Sequence, residues 1–213
     1  MSFTIDSELI CFLTAVICLF KVKDHAWRGM IFYLFITCIV EISGHALRKS
    51  HHHNQWVYNL AIIPEAIFNS LLFGQILKQY IKSKRLIVSG LVLILAFYAF
   101  GFVKGGFFAF NDLAVTVMSV VFVVYSFYYY FLLIKDEHYT DLRKSASFWW
   151  VTGSLFYYFG GTALYLFYDF LSTIEFAGRN ISYTITLALS ILLYSCWIYS
   201  FICKRWLEPS LET

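Results

Sequence analysis

Glu41 and Glu65 lie inside apolar stretches long enough to cross a bilayer, where an ionised carboxylate costs at least ~2.5 kcal/mol. Such an acid needs a proton, a cation or a polar partner. Helix faces repeat every three to four residues, so Thr37, Glu41, His45 and Arg48 form one polar stripe. Tyr58, Glu65 and Asn69 form a second, with Ile62 between them, and Pro64 removes a backbone donor just before the glutamate. Glu41 is seven residues from Arg48 and Glu65 nine from Trp56, which places both about 10–14 Å below the nearer helix end. The two acids are expected to share one layer. If the stripes face one another across the short 49–55 loop, Glu41, His45, Glu65, Asn69 and Tyr58 wall a polar pocket. Tyr157 and Tyr183 are its first candidates from later helices, with Tyr165, Asp169, Asn180 and Ser190 behind them.

Three kinds of chemistry suit these side chains. The carboxylates and aromatic rings can hold a small cationic or amphipathic ligand, or a glutamate can carry a proton for transport. Glu41 and His45, four residues apart, can present an oxygen and a nitrogen to a divalent metal with Glu65 as third ligand; an open fourth position would make a hydrolytic zinc-type site for a lipid ester, amide or phosphate. In the third reading the acids are hydrogen-bonded glue between helices. His51, His52 and His53 directly follow the first stripe and can concentrate an ion or sense acidity at the pocket mouth. No G-x-S-x-G elbow accompanies Ser43, so no catalytic nucleophile is singled out.

The elements that position these groups follow from composition. Of 213 residues, 60% are apolar, 21% aromatic and 14% charged, against ~25% charged in average soluble proteins. Apolar runs predict an all-α polytopic bundle of seven spans at about 8–22, 27–48, 56–80, 85–103, 113–134, 146–171 and 180–203. The connections are short, which points to a single domain over 1–213. The start, MSFTIDSE, lacks a positive n-region and no small-residue cleavage site follows the first span, so that span is not read as a cleavable signal peptide. Gly29, Phe32, Tyr33 and Phe35 in span two echo the spacing of Gly153, Phe156, Tyr157 and Phe159 in span six, as parallel repeats would.

Basic residues in short loops stay on the cytoplasmic side. Twelve of the sixteen lysines and arginines fall on one side and four on the other, which predicts an outside N-terminus and a cytoplasmic C-terminus. The polar layer then faces outward. The lipid bilayer is the first partner, and the basic loops at 78–85 and 135–144 could dock a cytoplasmic protein. No interleaved basic and aromatic surface suggests nucleic acid. Cys11, Cys18, Cys38, Cys196 and Cys203 include no CxxC pair and read as packing residues.

The segments EISGH at 41–45, WVYN at 56–59 and PEAIF at 64–68 give the chain its resemblance to small seven-helix bacterial membrane proteins with no assigned activity. By helix count alone it is similar to alkaline ceramidase-like metal hydrolases, yet span seven lacks the paired histidines of that family. The outside N-terminus and outer pocket resemble the plan of rhodopsins and receptors. A retinal Schiff base needs a lysine in the last span, and Lys204 lies only at its end. Bis-histidine haem needs two histidines at one depth, and His45 alone is well inside a span. Neither retinal nor haem is expected. Seven-helix sugar transporters use prolines in most gating helices, whereas Pro64 is the only proline within a span here.

Overall fold

The computed structural model describes residues 3–49, 54–106, 108–136, 141–171, 175–176 and 179–207. Seven long helices occupy the predicted spans: α1 (Phe3–Leu19), α2 (His25–Lys49), α3 (Gln55–Leu77), α4 (Lys84–Gly105), α5 (Asp112–Lys135), α6 (Ala146–Leu166) and α8 (Ile181–Ile202). A single turn, α7 (Tyr168–Leu171), follows α6, and a π-helical turn, Cys203–Leu207, follows α8. Five of the long helices, α2, α3, α4, α5 and α8 with its last turn, are long and apolar enough to cross a membrane. The chain is an all-α membrane protein in that sense. α1 has 17 residues, the lower bound of the ~17–25 that span hydrocarbon. α6 carries no charge but is diluted by tryptophan, tyrosine, glycine and threonine.

Two boundaries differ from the apolar runs by five residues, the others by three or fewer. α1 begins five residues before its run because Asp6 sits in its first turn, where a negative charge complements the helix dipole. Span six is interrupted at Phe167, although the Phe167 amide still donates to the Ala163 carbonyl at 3.0 Å. Before α8, β1 (Glu175–Phe176) and β2 (Arg179–Asn180) pair antiparallel, Glu175 opposite Asn180.

The chain forms two compact units, a central one of Ala15–Val121 and a terminal one of Met1–Thr14 with Phe122–Thr213. In the central unit α2 and α3 are close neighbours. Gly29 lies against the Phe68 ring and Gly44 against Tyr58, so low numbers on α2 meet high numbers on α3 and the pair is antiparallel. Small residues at both ends of α2 let α3 approach. At the opposite end from Tyr58, Asp24 caps α2 by accepting from the Ala26 amide at 2.9 Å, and its other oxygen accepts from Gln75 at 2.9 Å. Ser83, just before α4, donates to the Gly74 carbonyl at 2.8 Å. Pro64 does not break α3, which is continuous through it. Trp27, Met30, Leu34, Ile62, Phe73 and Ile94 form the core, while Phe32, Phe35, Ile39 and Val92 are exposed, as suits a lipid-facing surface.

A buried polar knot closes the other end of this unit. Asn59 on α3 donates to the Ala109 carbonyl at 2.8 Å and accepts from the Asn111 amide at 3.0 Å. Tyr98 on α4 donates to the Asn59 carbonyl at 3.2 Å, and the Asn111 side chain donates to the Tyr98 carbonyl at 3.0 Å. The Asn111 side-chain oxygen accepts from the Ala114 amide at 3.1 Å and so caps α5. α4 ends at Gly105, and the next residue, Gly106, has a φ of 76°, a positive value that glycine adopts without strain.

In the terminal unit α6 and α8 pack tightly. Trp150 stacks on Trp197 with centroids 5.7 Å apart, Gly153 meets Cys196 and Leu193, Gly160 meets Leu189, and Ser200 donates to the Ala146 carbonyl at 2.7 Å. Along α6 the partners on α8 fall steadily in number, so these helices are also antiparallel. Trp197 donates to Ser154 at 3.3 Å. The C-terminal part of α5 joins through Tyr130, 2.7 Å from the Thr152 hydroxyl, and through Phe122 packed edge-on to Tyr158. Phe156 and Phe159 are exposed like Phe32 and Phe35, and Gly153, like Gly29, faces a neighbouring helix.

Candidate functional site on the second and third helices

Glu41 lies half-buried on α2, and its side chain shares a hydrogen bond with Tyr58 of α3. A glycine makes that meeting possible. A Cβ added at Gly44, one turn beyond Glu41, would stand 2.5 Å from the Tyr58 hydroxyl oxygen and 2.8 Å from its ring carbon, far inside contact distance. The hydroxyl end of the Tyr58 ring therefore sits in a notch that only glycine leaves open. Asn54 donates to the Gly44 carbonyl at 3.3 Å and fixes the start of α3 at the same level. His45, exposed on the next position of α2, and Arg48 one turn further are within electrostatic reach of Glu41. Arg48 and Lys49 occupy the last turn of α2, where positive charge complements the helix dipole.

These contacts set the register of the two helices and correct the expected common layer. Tyr58 and Gly44 are level, so Glu41 lies three residues and Glu65 seven residues below that point. The Gly29–Phe68 contact gives a wider offset from the other end. At ~1.5 Å per residue the acids are on the order of 10 Å apart along the axis. The physical reason is that α2 overshoots α3: five residues of α2 follow Gly44, whereas Asn54 at that level only begins α3. Depth counted from each helix's own end assumes ends that are flush.

The structure thus brings Glu41 and Tyr58 together, with His45 beside them, and sets Glu65 and Asn69 deeper along α3. Glu65 is half-buried, and Asn69 is fully buried beside Ser70. Among the described residues no three histidine, cysteine, aspartate or glutamate side chains are grouped so that they could hold a metal ion. Tyr157 is half-buried and Tyr183 exposed, both in the terminal unit. Ser190 is buried there and donates to its own helix at the Thr186 carbonyl, 2.9 Å. His51, His52 and His53 lie outside the described residues, as do the side chains of Tyr165, Asp169 and Asn180.

Several polar groups escaped the stripe analysis. Glu8 is 2% exposed on α1, a third acid in an apolar helix. Its spacing could have found it, since Ile5, Glu8, Cys11, Ala15 and Cys18 recur every three or four residues and all are buried. Asn59 and Asn111 are buried too; Asn59 stands inside the WVYN segment but its partners are some fifty residues away, and no local signal points to them. The Asp24–Gln75 bond is equally long-range.

Fold and site together define a polytopic helical membrane protein with a carboxylate–tyrosine pair between two adjacent helices. No protein-family model, no curated protein and no solved structure matches the chain.

Proposed function

We propose that this membrane protein has seven transmembrane helices, keeps its N-terminus outside a bacterial inner membrane, and binds a small cationic or amphipathic molecule at Glu41 for sensing or transport. The observation that carries this reading is the Glu41–Tyr58 pair. A carboxylate and an aromatic ring meet at a half-buried position in spanning helices, the combination that suits a desolvated cation. His45 and Arg48 lie between that pair and the end of α2, and the lysine and arginine asymmetry turns this end outward. Thermal unfolding of the purified protein with a panel of amines and quaternary ammonium compounds tests the proposal. A ligand that raises the midpoint for wild type and not for Glu41→Gln is expected; a panel inert on wild type would sink it. Uptake of that ligand into proteoliposomes then marks a transporter, and binding without uptake marks a sensor.

The same hydrogen bond favours a second reading, in which Glu41 and Tyr58 tie α2 to α3 and do nothing else. In that case Glu41→Gln and Tyr58→Phe lower stability to similar extents, and neither changes the response to any compound.

A further inference from the structure

Where α2 begins and α3 turns into α4, the central unit carries an excess of positive charge. Lys21, Lys23 and Arg28 flank the start of α2, and Lys78, Lys82, Lys84 and Arg85 surround the turn from α3 to α4; all are exposed. The two segments meet, because Gln75 near the end of α3 donates to Asp24 at 2.9 Å and Ser83 ties the turn back to Gly74 at 2.8 Å. Asp24 is the only acid within 20–28 and 78–85. Both of its oxygens are already engaged, one by the Ala26 amide and one by Gln75. In the terminal unit, by contrast, the stretches 135–144 and 204–213 together carry five lysines and arginines against five acids.

Charge that only orients helices during insertion needs no particular shape, whereas here it is built into a concave turn. Lys78, Lys82 and Lys84 line one open recess of about 570 Å³ together with half-buried Tyr80 and buried Ser83, a size that suits a small polar group. Ser83 stands at the N-cap of α4 but gives its hydroxyl to Gly74, so that helix start has no side-chain cap, and its positive dipole end adds to the lysines. Below the recess, Val88, Val92 and Leu95 follow Lys84 at steps of four, four and three residues and are all exposed, which puts them on one face of α4. α4 is long and apolar enough to cross a membrane, so the lysines stand where hydrocarbon gives way to headgroups, with an apolar track beneath them. Cations above an apolar track match a molecule with an anionic head and an apolar tail. A soluble anion would use the recess alone, and an acidic segment of a soluble protein would have no use for the track. We propose that the α3–α4 turn binds an anionic phospholipid, its phosphate held by Lys78, Lys82 and Lys84 and one acyl chain lying along Val88, Val92 and Leu95. Each lysine near an anionic headgroup layer strengthens such binding about fivefold.

The full-length protein, released from vesicles of equal phosphatidylglycerol and phosphatidylcholine, is analysed for retained lipid by native mass spectrometry. Wild type is expected to retain phosphatidylglycerol more than about tenfold over phosphatidylcholine. The Lys78→Gln, Lys82→Gln, Lys84→Gln triple variant should lose that preference. A Lys135→Gln, Arg143→Gln, Lys144→Gln variant, which removes equal charge from the terminal unit, should keep it. If the first triple variant does not fold, Lys84→Gln alone is measured and should lose about fivefold. Glycerol 3-phosphate, which offers the phosphate without acyl chains, should leave the retained phosphatidylglycerol in place even in large excess. Equal retention of both lipids by wild type, equal loss in both triple variants, or displacement by glycerol 3-phosphate overturns the proposal. So does unchanged retention in the Lys78, Lys82 and Lys84 variant, an outcome that would give the turn to an acidic protein partner.

Discussion

The Tyr58 ring occupies the space that a side chain at position 44 would need, and this makes a glycine the determinant of where a carboxylate finds its partner. Gly44→Ala places a methyl 2.5 Å from the Tyr58 hydroxyl oxygen, so the ring must leave its seat. A loss of about 1–3 kcal/mol is expected, read as a lower unfolding midpoint in detergent. Tyr58→Phe keeps the ring and removes the bond to Glu41, and should cost about 0.5–1.5 kcal/mol. Once the ring is gone, as in Tyr58→Ala, adding Gly44→Ala should cost nothing further. That non-additivity is the direct sign of contact, and two fully additive losses would show that Tyr58 does not occupy the notch.

At the scale of helices, glycines that look alike in sequence carry different loads. A Cβ at Gly153 would meet the Cys196 Cβ at 2.8 Å and the Leu193 carbonyl oxygen at 3.2 Å, both held by the α8 backbone. At Gly160 it meets only the flexible end of Leu189, and at Gly161 nothing lies within 4 Å. Alanine substitutions should therefore be strongly destabilising at 153, mildly so at 160, and stabilising by roughly 0.5–1 kcal/mol at 161, where helix propensity alone acts. A thermal series that ranks the three otherwise would contradict the α6–α8 packing. The paired glycines Gly160 and Gly161 thus serve different surfaces, a distinction their adjacency hides.

The polar knot sets the ends of α3, α4 and α5 in the same way. Asn111→Ala removes an N-cap and one further side-chain bond, while its backbone amide can still donate to Asn59. A removed side chain takes the Ala114 and Tyr98 contacts with it, for an expected loss of about 1–3 kcal/mol. Hydrogen exchange at the Ala114 amide should accelerate in that variant while amides in mid-α5 keep their protection. Equal acceleration throughout α5 would mean that the effect is global and that the cap is not its source.

For the whole molecule, the consequential property is the direction in which the helices cross the bilayer. The charge asymmetry predicts the 78–84 turn on the cytoplasmic side and the 106–111 connection outside. Single cysteines introduced at Lys82 and Ala109 in a background without the native cysteines should label oppositely with an impermeant thiol reagent added to intact cells: Ala109→Cys reacts and Lys82→Cys does not. The reverse pattern would place the Glu41–Tyr58 pair toward the cytoplasm and overturn the outward orientation in the proposed function.

By itself the sequence determined that the chain is an all-helical membrane protein, and nearly where each helix lies. Length and apolarity are local properties, and hydrocarbon forces the backbone to satisfy its hydrogen bonds within the helix. It also marked Glu41, His45 and Tyr58 as unusual, because polar groups in such stretches stand out one by one. Only the tertiary structure decided which of them meet. α2 overshoots α3, so Glu41 faces Tyr58 and Glu65 lies deeper. That offset is set by the Gly44 notch, the Asn54 bond and the Gly29–Phe68 contact, each between residues of different helices. Helical periodicity fixes which face a residue occupies; the axial slide of one helix on another is fixed by where bulk fits against a gap, and no count along a single helix contains it.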